Sequence, residues 1–252
     1  MLHVLRATLV NLLFYGNMVV WIIVWLPTLF GPPSWALAGL KAWSRHSLWL
    51  LRVTAGIDFE IRGRENLPLG GCIIAAKHQS MWETFALMPY LDKPVYILKR
   101  ELLAIPGFGW YARRGGMISV ERARHAQALR RMTHDAREAV QNGAQLIIFP
   151  EGTRKPVGAE PDYKSGIIHL YKQLGVPVVP AGLNSGLFWG RKPGQRHQGK
   201  VIISLLPAIP PGEDGRAVLA SLETQIESET AALVDEALDG RQPPPWYKKS
   251  AA

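Results

Sequence analysis

From Ala7 to Phe30 the chain runs 24 residues without a charged side chain. At about 1.5 Å per residue a helix of that length reaches across a hydrocarbon core of roughly 30 Å. Such a stretch must cross a membrane, lie in one, or be buried in a protein core. Asn11, Gly16 and Asn17 dilute it, Pro27 weakens its end, and Gly31-Pro32-Pro33 breaks it before a second apolar stretch from Trp35 to Leu51. On a helical wheel Lys41, Arg45 and Arg52 fall in one sector opposite Leu40, Trp43, Leu50 and Leu51, the pattern of a helix lying in an interface. Two arrangements are open: a spanning helix followed by an interfacial one, or a two-helix hairpin embedded in one leaflet. The run is long for a signal peptide and no Ala-x-Ala site follows it.

Charge points the same way. The chain carries a net +9, yet no Asp or Glu precedes Asp58, while Arg6, Lys41, Arg45 and Arg52 do. Five of the nine Trp lie in that stretch. An indole with an apolar body and one polar N–H suits the bilayer interface, as do flanking Lys and Arg. Nucleic acid explains basicity less well, because the basic excess accompanies apolar runs and no helix-turn-helix, RNP or zinc-finger pattern is visible. No nucleic-acid partner is expected. The one cysteine, Cys72, excludes an internal disulfide and a thiolate metal cluster. The seven His are scattered without ligand spacing, so no metal site is expected.

Beyond Asp58 the pattern changes to short β-branched runs alternating with longer amphipathic stretches. Strands are predicted at Asp58–Arg62, Cys72–Ala76, Val95–Leu98, Met117–Val120, Leu146–Phe149, Val178–Ala181 and Val201–Leu205. Helices are predicted at Ser80–Leu91, Arg122–Asn142, Ser165–Leu174 and Ala217–Leu238. Alternation of this kind argues an α/β sandwich with a mixed, largely parallel sheet flanked by helices. The division that follows is 1–55 for membrane-anchoring helices, 56–240 for the α/β domain and 241–252 for an exposed C-terminal tail.

The strand Cys72–Ala76 runs into Lys77-His78-Gln79-Ser80-Met81-Trp82-Glu83. His78 and Glu83 are five residues apart, so they share no face of one helix. They meet only if His78 lies in the turn before a helix whose first turn holds Glu83. A carboxylate there could accept from His78 Nδ1–H and leave Nε2 free as a base. Ser80-x-x-Glu83 is equally a capping box, in which Glu83 serves only the helix end. The residues alone leave both roles open. No Gly-x-Ser-x-Gly elbow is present, and Cys72 sits mid-strand among apolar neighbours, a poor place for a nucleophile.

The segment from Lys77 to Glu83 resembles the His-x4-Asp/Glu motif of the glycerolipid acyltransferases, the family of 1-acyl-glycerol-3-phosphate acyltransferases. Three further blocks match that family in order: Lys99-Arg100-Glu101-Leu102 through Gly116 to Arg122, then Phe149-Pro150-Glu151-Gly152-Thr153-Arg154, then Val176-Pro177-Val178-Val179-Pro180. The family usually has Asp where this chain has Glu83, which alters the reach of the carboxylate. The resemblance implies direct acyl transfer from a thioester to the 2-hydroxyl of lysophosphatidic acid, giving phosphatidic acid, with His78 as base and Glu83 orienting it. It implies that Arg122 and the block Glu151, Gly152, Thr153 and Arg154 bind the glycerol phosphate, with Lys99 a further candidate. No bound cofactor is implied; acyl-CoA or acyl carrier protein thioester is a co-substrate. The partners implied are lysophosphatidic acid, that donor and membrane phospholipids, at the bacterial inner membrane with the catalytic domain facing the cytoplasm. Acylation of another lysolipid, such as lyso-ornithine lipid, and a non-catalytic lipid-binding module are the competing readings. Because the whole His78 site lies past residue 56, a chain beginning near Gly56 is expected to lose most activity on bilayer substrates yet retain some on lysolipid dispersed in detergent.

Overall fold

A computed structural model of the chain describes residues 2–120 and 125–247. Two long helices come first, α1 (Leu2–Val24) and α2 (Pro33–Ala55), joined by a 3-10 turn at Leu26–Phe30. In chain order there follow β1 (Ile57–Arg62), β2 (Cys72–Ala76), α3 (Glu83–Ala86), β3 (Pro94–Lys99), α4 (Phe108–Arg114), β4 (Ile118–Val120), α5 (His125–Gln141) and β5 (Gln145–Ile148). The chain continues through α6 (Gly166–Leu174), β6 (Val178–Leu183), α7 (Ser185–Phe188), β7 (Gly199–Leu205) and α8 (Gly215–Leu238).

The seven strands form one sheet in the order β1-β7-β6-β2-β5-β3-β4, and every neighbouring pair is parallel except β6 with β7. This is the mixed, largely parallel α/β arrangement that the alternation of elements implies. Central β2 is buried on both faces, as a continuous apolar run in a parallel sheet must be. Successive side chains of a strand point to opposite faces. Ile73 and Ala75 accordingly join a core with Met132 and Ala136 of α5, Ile167 and Leu170 of α6 and Leu222 of α8, while Cys72, Ile74 and Ala76 join another with α2 and α3.

Through that second core the two N-terminal helices pack onto the sheet. Leu40, Leu48, Leu51 and Ala55 of α2, and Val10 and Phe14 of α1, are buried in the same cluster as Ile74, Trp82 and Ile203. The basic residues of α2 are also placed differently from an interfacial stripe. Lys41 Nζ donates to the carbonyls of Leu91 and Asp92, Arg45 to that of Pro89, and Arg52 faces Asp58. Carbonyls exposed by the irregular chain at 88–92 are the partners that a docked helix finds for its charges.

α1 runs back along α2, pairing Asn17 with Ser47, Trp21 with His46 and Trp25 with Gly39. Arg6 donates to the Ala55 carbonyl at the end of α2, and the helix reaches the domain through Asn11 on the Pro193 carbonyl and through the Ile22 carbonyl, which accepts from Tyr111 OH. The two helices thus lie side by side as a helical hairpin. Its outer surface is apolar: Leu5, Leu9, Leu12, Val20 and Ile23 of α1 and Trp49 and Val53 of α2 are all more than half exposed.

Two other elements differ from expectation. The helix predicted over Ser80–Leu91 is only Glu83–Ala86, followed by a 3-10 turn at Met88–Tyr90. Pro89 has no N–H to continue an α-helix, and the Phe85 carbonyl it would have bonded accepts from Ser44 Oγ instead. The tail, expected to be exposed from 241 onward, docks through residues 244–247. Pro244 is buried, Trp246 Nε1 donates to the Gly186 carbonyl, and Tyr247 packs against the core.

Candidate active site

Five strands, β2, β3, β4, β5 and β6, run the same way. Their carboxyl ends therefore open on one edge, where ligands of open α/β sheets collect. β2 delivers Lys77 and His78 to that edge. β5 delivers Phe149 to Arg154, and β3 delivers Lys99, which lies level with Val120 of β4 in the sheet register. Arg122, two residues beyond Val120, lies outside the described residues.

His78 sits in the turn between β2 and α3, with its side chain mostly covered. Its Nδ1 lies 2.9 Å from Glu83 Oε1. An ionised carboxylate only accepts, so the proton of the neutral ring belongs on Nδ1 and Nε2 is left unprotonated. The ring also stacks on Phe149, with centroids 4.1 Å apart. Phe149 opens the third motif block, so the first and third blocks meet as a ring against a ring.

Glu83 is fully buried. Its Oε1 also accepts from the backbone N–H groups of Gln79 (2.8 Å) and Ser80 (2.7 Å), and its Oε2 accepts from Ser185 Oγ at 2.7 Å. Burial pushes this carboxyl up, but the hydrogen bond and charge of His78, with the donors from Ser80 and Ser185, more than offset it and hold the group below its ordinary range. The capping role and the histidine-orienting geometry thus reside in one carboxylate. Only half of the capping box is made, because Ser80 Oγ accepts from Trp82 N–H and not from Glu83 N–H.

A second buried carboxylate holds the backbone of the histidine turn. Glu151 Oε2 accepts from His78 N–H at 3.0 Å, and its Oε1 meets Lys77 Nζ at 2.9 Å. Lys77 in turn reaches Glu227 Oε1 of α8 at 2.6 Å, to which Tyr163 OH also donates. The His78 carbonyl accepts from Lys155 N–H. With both its oxygens engaged internally, Glu151 clasps the two motif blocks together. Gly152 (φ 64) turns the chain in the left-handed region beyond it, and Thr153 and Arg154 stand exposed. Lys99 is exposed as well, and among the described residues neither Lys99 nor Arg154 has an ion-pair partner.

Among the described residues, neither Cys72 nor Ser80 is placed to act as an alternative nucleophile. Burial pushes the Cys72 thiol up to about 11, inside β2, and Ser80 is buried. Among the described residues no group of three or more His, Cys, Asp or Glu is placed to hold a metal ion.

The sequence singled out His78, Glu83 and the block from Glu151 to Arg154, but it missed Phe149 as a stacking partner and the positions of Ser185, Glu227 and Tyr163. Ser185 had one visible signal: it follows the buried run of β6 at a strand's carboxyl end. What brings it to Glu83 is the pairing of β6 with β2, which no local pattern displays.

Known proteins resemble this chain at three levels. A family model described as "Acyltransferase" matches residues 58–184. The 1-acyl-sn-glycerol-3-phosphate acyltransferase of Pseudomonas aeruginosa is 38% identical over 198 residues, 77% of each chain. The human 1-acyl-sn-glycerol-3-phosphate acyltransferase beta is 33% identical over 158 residues, covering 62% of this chain and 57% of that protein. The crystal structure of a 1-acyl-sn-glycerophosphate acyltransferase from Thermotoga maritima superposes with a TM-score of 0.78, covering 92% of this chain and 97% of the other at 24% identity. That last likeness bears on the fold.

Proposed function

The chain belongs to the acyltransferase family, and from that premise we propose that it moves an acyl group from a thioester to the 2-hydroxyl of a 1-acyl-sn-glycerol 3-phosphate, giving phosphatidic acid. The observation that carries this reading is His78 Nδ1 on the buried Glu83 carboxylate, with Nε2 left as a base. Nε2 takes the proton of the acceptor hydroxyl as its oxygen bonds to the thioester carbonyl carbon. The tetrahedral intermediate then collapses, the C–S bond breaks, and the thiol leaves with the proton returned from Nε2–H. An ester and a free thiol are the products, with no acyl-enzyme. Glu83 fixes the ring and stabilises the imidazolium formed between the two proton transfers.

The acceptor phosphate falls to Arg154 and Lys99, the cations that the parallel strands carry to one edge, and to Arg122 by its place in the motif. A guanidinium can bind a phosphate through two parallel N–H bonds. Glu151 contributes by holding the turn that presents Gly152, Thr153 and Arg154, since a carboxylate would repel the phosphate. The exposed apolar surface of the hairpin supports a site on a membrane, where the lysolipid resides. The thioester reaches this site as acyl-CoA or acyl carrier protein.

The test is to assay the purified chain with lysophosphatidic acid and with a lyso-amino-lipid, each with both thioesters. Phosphatidic acid made from lysophosphatidic acid, in preference to the other acceptor, is expected. Preference for the lyso-amino-lipid would transfer the same chemistry to another acceptor, and acyl hydrolysis alone would make the chain a thioesterase.

A further inference from the structure

The charge that orients His78 is gripped from the far side by a residue outside both blocks of the site. Ser185 opens α7, directly after β6, and its side chain is wholly buried. Its Oγ lies 2.7 Å from Glu83 Oε2, the oxygen opposite the one that faces His78. The hydroxyl has one proton and Glu83 is an acceptor, so Ser185 donates. It is the side-chain hydroxyl that completes the line Ser185–Glu83–His78.

The turn that carries Ser185 is built to keep that line in place. Asn184 Oδ1 accepts from Ile202 N–H of β7, and its Nδ2 donates to the Leu233 carbonyl of α8. Gly186 N–H donates to Gln79 Oε1, on the residue next to His78. At Gly186 a side chain would strike Val157 and Gln79, so the two turns lie in direct contact. The tail closes the arrangement, with Trp246 Nε1 on the Gly186 carbonyl.

We propose that Ser185 is a positioning residue for acyl transfer, fixing the free oxygen of Glu83 so that the other oxygen stays aligned on His78 Nδ1. The inference rests on the reading of His78 as base and Glu83 as its orienting carboxylate. Without the hydroxyl, Oε2 loses its side-chain donor in a site closed to solvent, and the carboxylate is held through Oε1 alone, which no longer fixes its plane against the ring. A hydrogen bond to a charged group is strong enough to alter a rate by roughly tenfold to a hundredfold. The loss falls on turnover, since Ser185 touches neither substrate.

The experiment is a double-mutant cycle on the full chain, with kcat and both KM values measured for Ser185→Ala, Glu83→Ala and the pair. Ser185→Ala is expected to lower kcat at least about tenfold with KM for acceptor and donor unchanged within about twofold, and Ser185→Gly to do the same. In the Glu83→Ala background Ser185→Ala is expected to have no further effect, because a residue acting through Glu83 has nothing left to act on. A purely structural role would instead give additive losses, or raise KM, and either result overturns the proposal. So would normal turnover in either single variant. If Glu83→Ala is nearly inactive while the Ser185 effect is additive, this inference falls and the base assignment stands. If Glu83→Ala is itself fully active, the base assignment falls and takes this inference with it.

Discussion

Glu83 does two things with one carboxylate, and substitution separates them. Glutamine keeps an oxygen to accept from the Gln79 and Ser80 N–H groups, so the end of α3 survives, but it has no charge with which to stabilise an imidazolium. Loss of general-base function typically costs about 10² to 10⁴ in rate. His78→Ala is therefore expected to fold normally, by circular dichroism and thermal unfolding, and to be slowed by that factor. Glu83→Gln is expected to fold equally well and to be slowed as well. A Gln variant as fast as wild type would mean that the carboxylate serves only the helix end, and a fast His78→Ala would remove the mechanism. At this scale the sequence is legible as far as its local rules extend. Five residues from His78 to Glu83 demand a turn followed by a helix, and the chain folds so. Ser185 and Glu227 stay hidden, because they reach the site through the pairing of β6 with β2 and the docking of α8, contacts 102 and 150 residues apart in the chain.

The strands were readable to within a few residues because each is a short run of apolar, often β-branched residues closed by a turn. The elements that were misjudged are those whose form is set by something far away. Ser80–Leu91 has helical composition, but Pro89 and the capture of the Phe85 carbonyl by Ser44 of α2 cut it short. The tail at 244–247 has the composition of an exposed segment, and becomes ordered by one indole N–H and a buried proline. The phosphate prediction belongs to this scale, because its residues are delivered by strand ends. Arg154 is placed by the turn beyond β5 and Lys99 by the end of β3, both on the edge where β2 ends at His78. Hydrogen bonds to charged groups contribute about 1.5–3 kcal/mol. Arg154→Ala is thus expected to raise KM for lysophosphatidic acid by roughly one to two orders of magnitude and to leave KM for the acyl donor nearly unchanged. Steady-state kinetics with each substrate varied in turn checks this. Equal changes for both substrates would place Arg154 with the donor or with the fold.

At the scale of the whole molecule the hairpin faces two ways, and both faces are apolar. Its inner face contributes Phe14, Leu40, Leu48 and Leu51 to the core over the sheet. At about 1.5–3 kcal/mol for each large side chain, these four alone account for roughly 6–12 kcal/mol, comparable with the entire stability of an ordinary domain. The expectation that a chain beginning near Gly56 would retain some activity on dispersed lysolipid is therefore revised: lacking α1 and α2, it should aggregate or be recovered without a cooperative unfolding transition. The outer face has no such partner among the described residues. Leu5, Leu9, Leu12, Val20, Ile23, Trp49 and Val53 are each more than half exposed, and clustered exposed apolar side chains mark interaction or membrane surfaces. A basic residue near an anionic surface adds only about 1 kcal/mol, and Lys41 and Arg45 are already committed to carbonyls of the domain. The membrane attachment proposed above would then come from the apolar face, and ionic strength should hardly weaken it. Full-length protein in washed membranes is expected to remain bound in high salt and at alkaline pH and to leave with detergent. Replacing Leu5, Leu9 and Leu12 by glutamine, which leaves the inner face intact, should convert it to a salt-extractable protein that is still folded. If the unaltered chain were released by salt alone, the outer face would have to be covered by another protein, and the site at His78 would have to receive its lysolipid away from the bilayer.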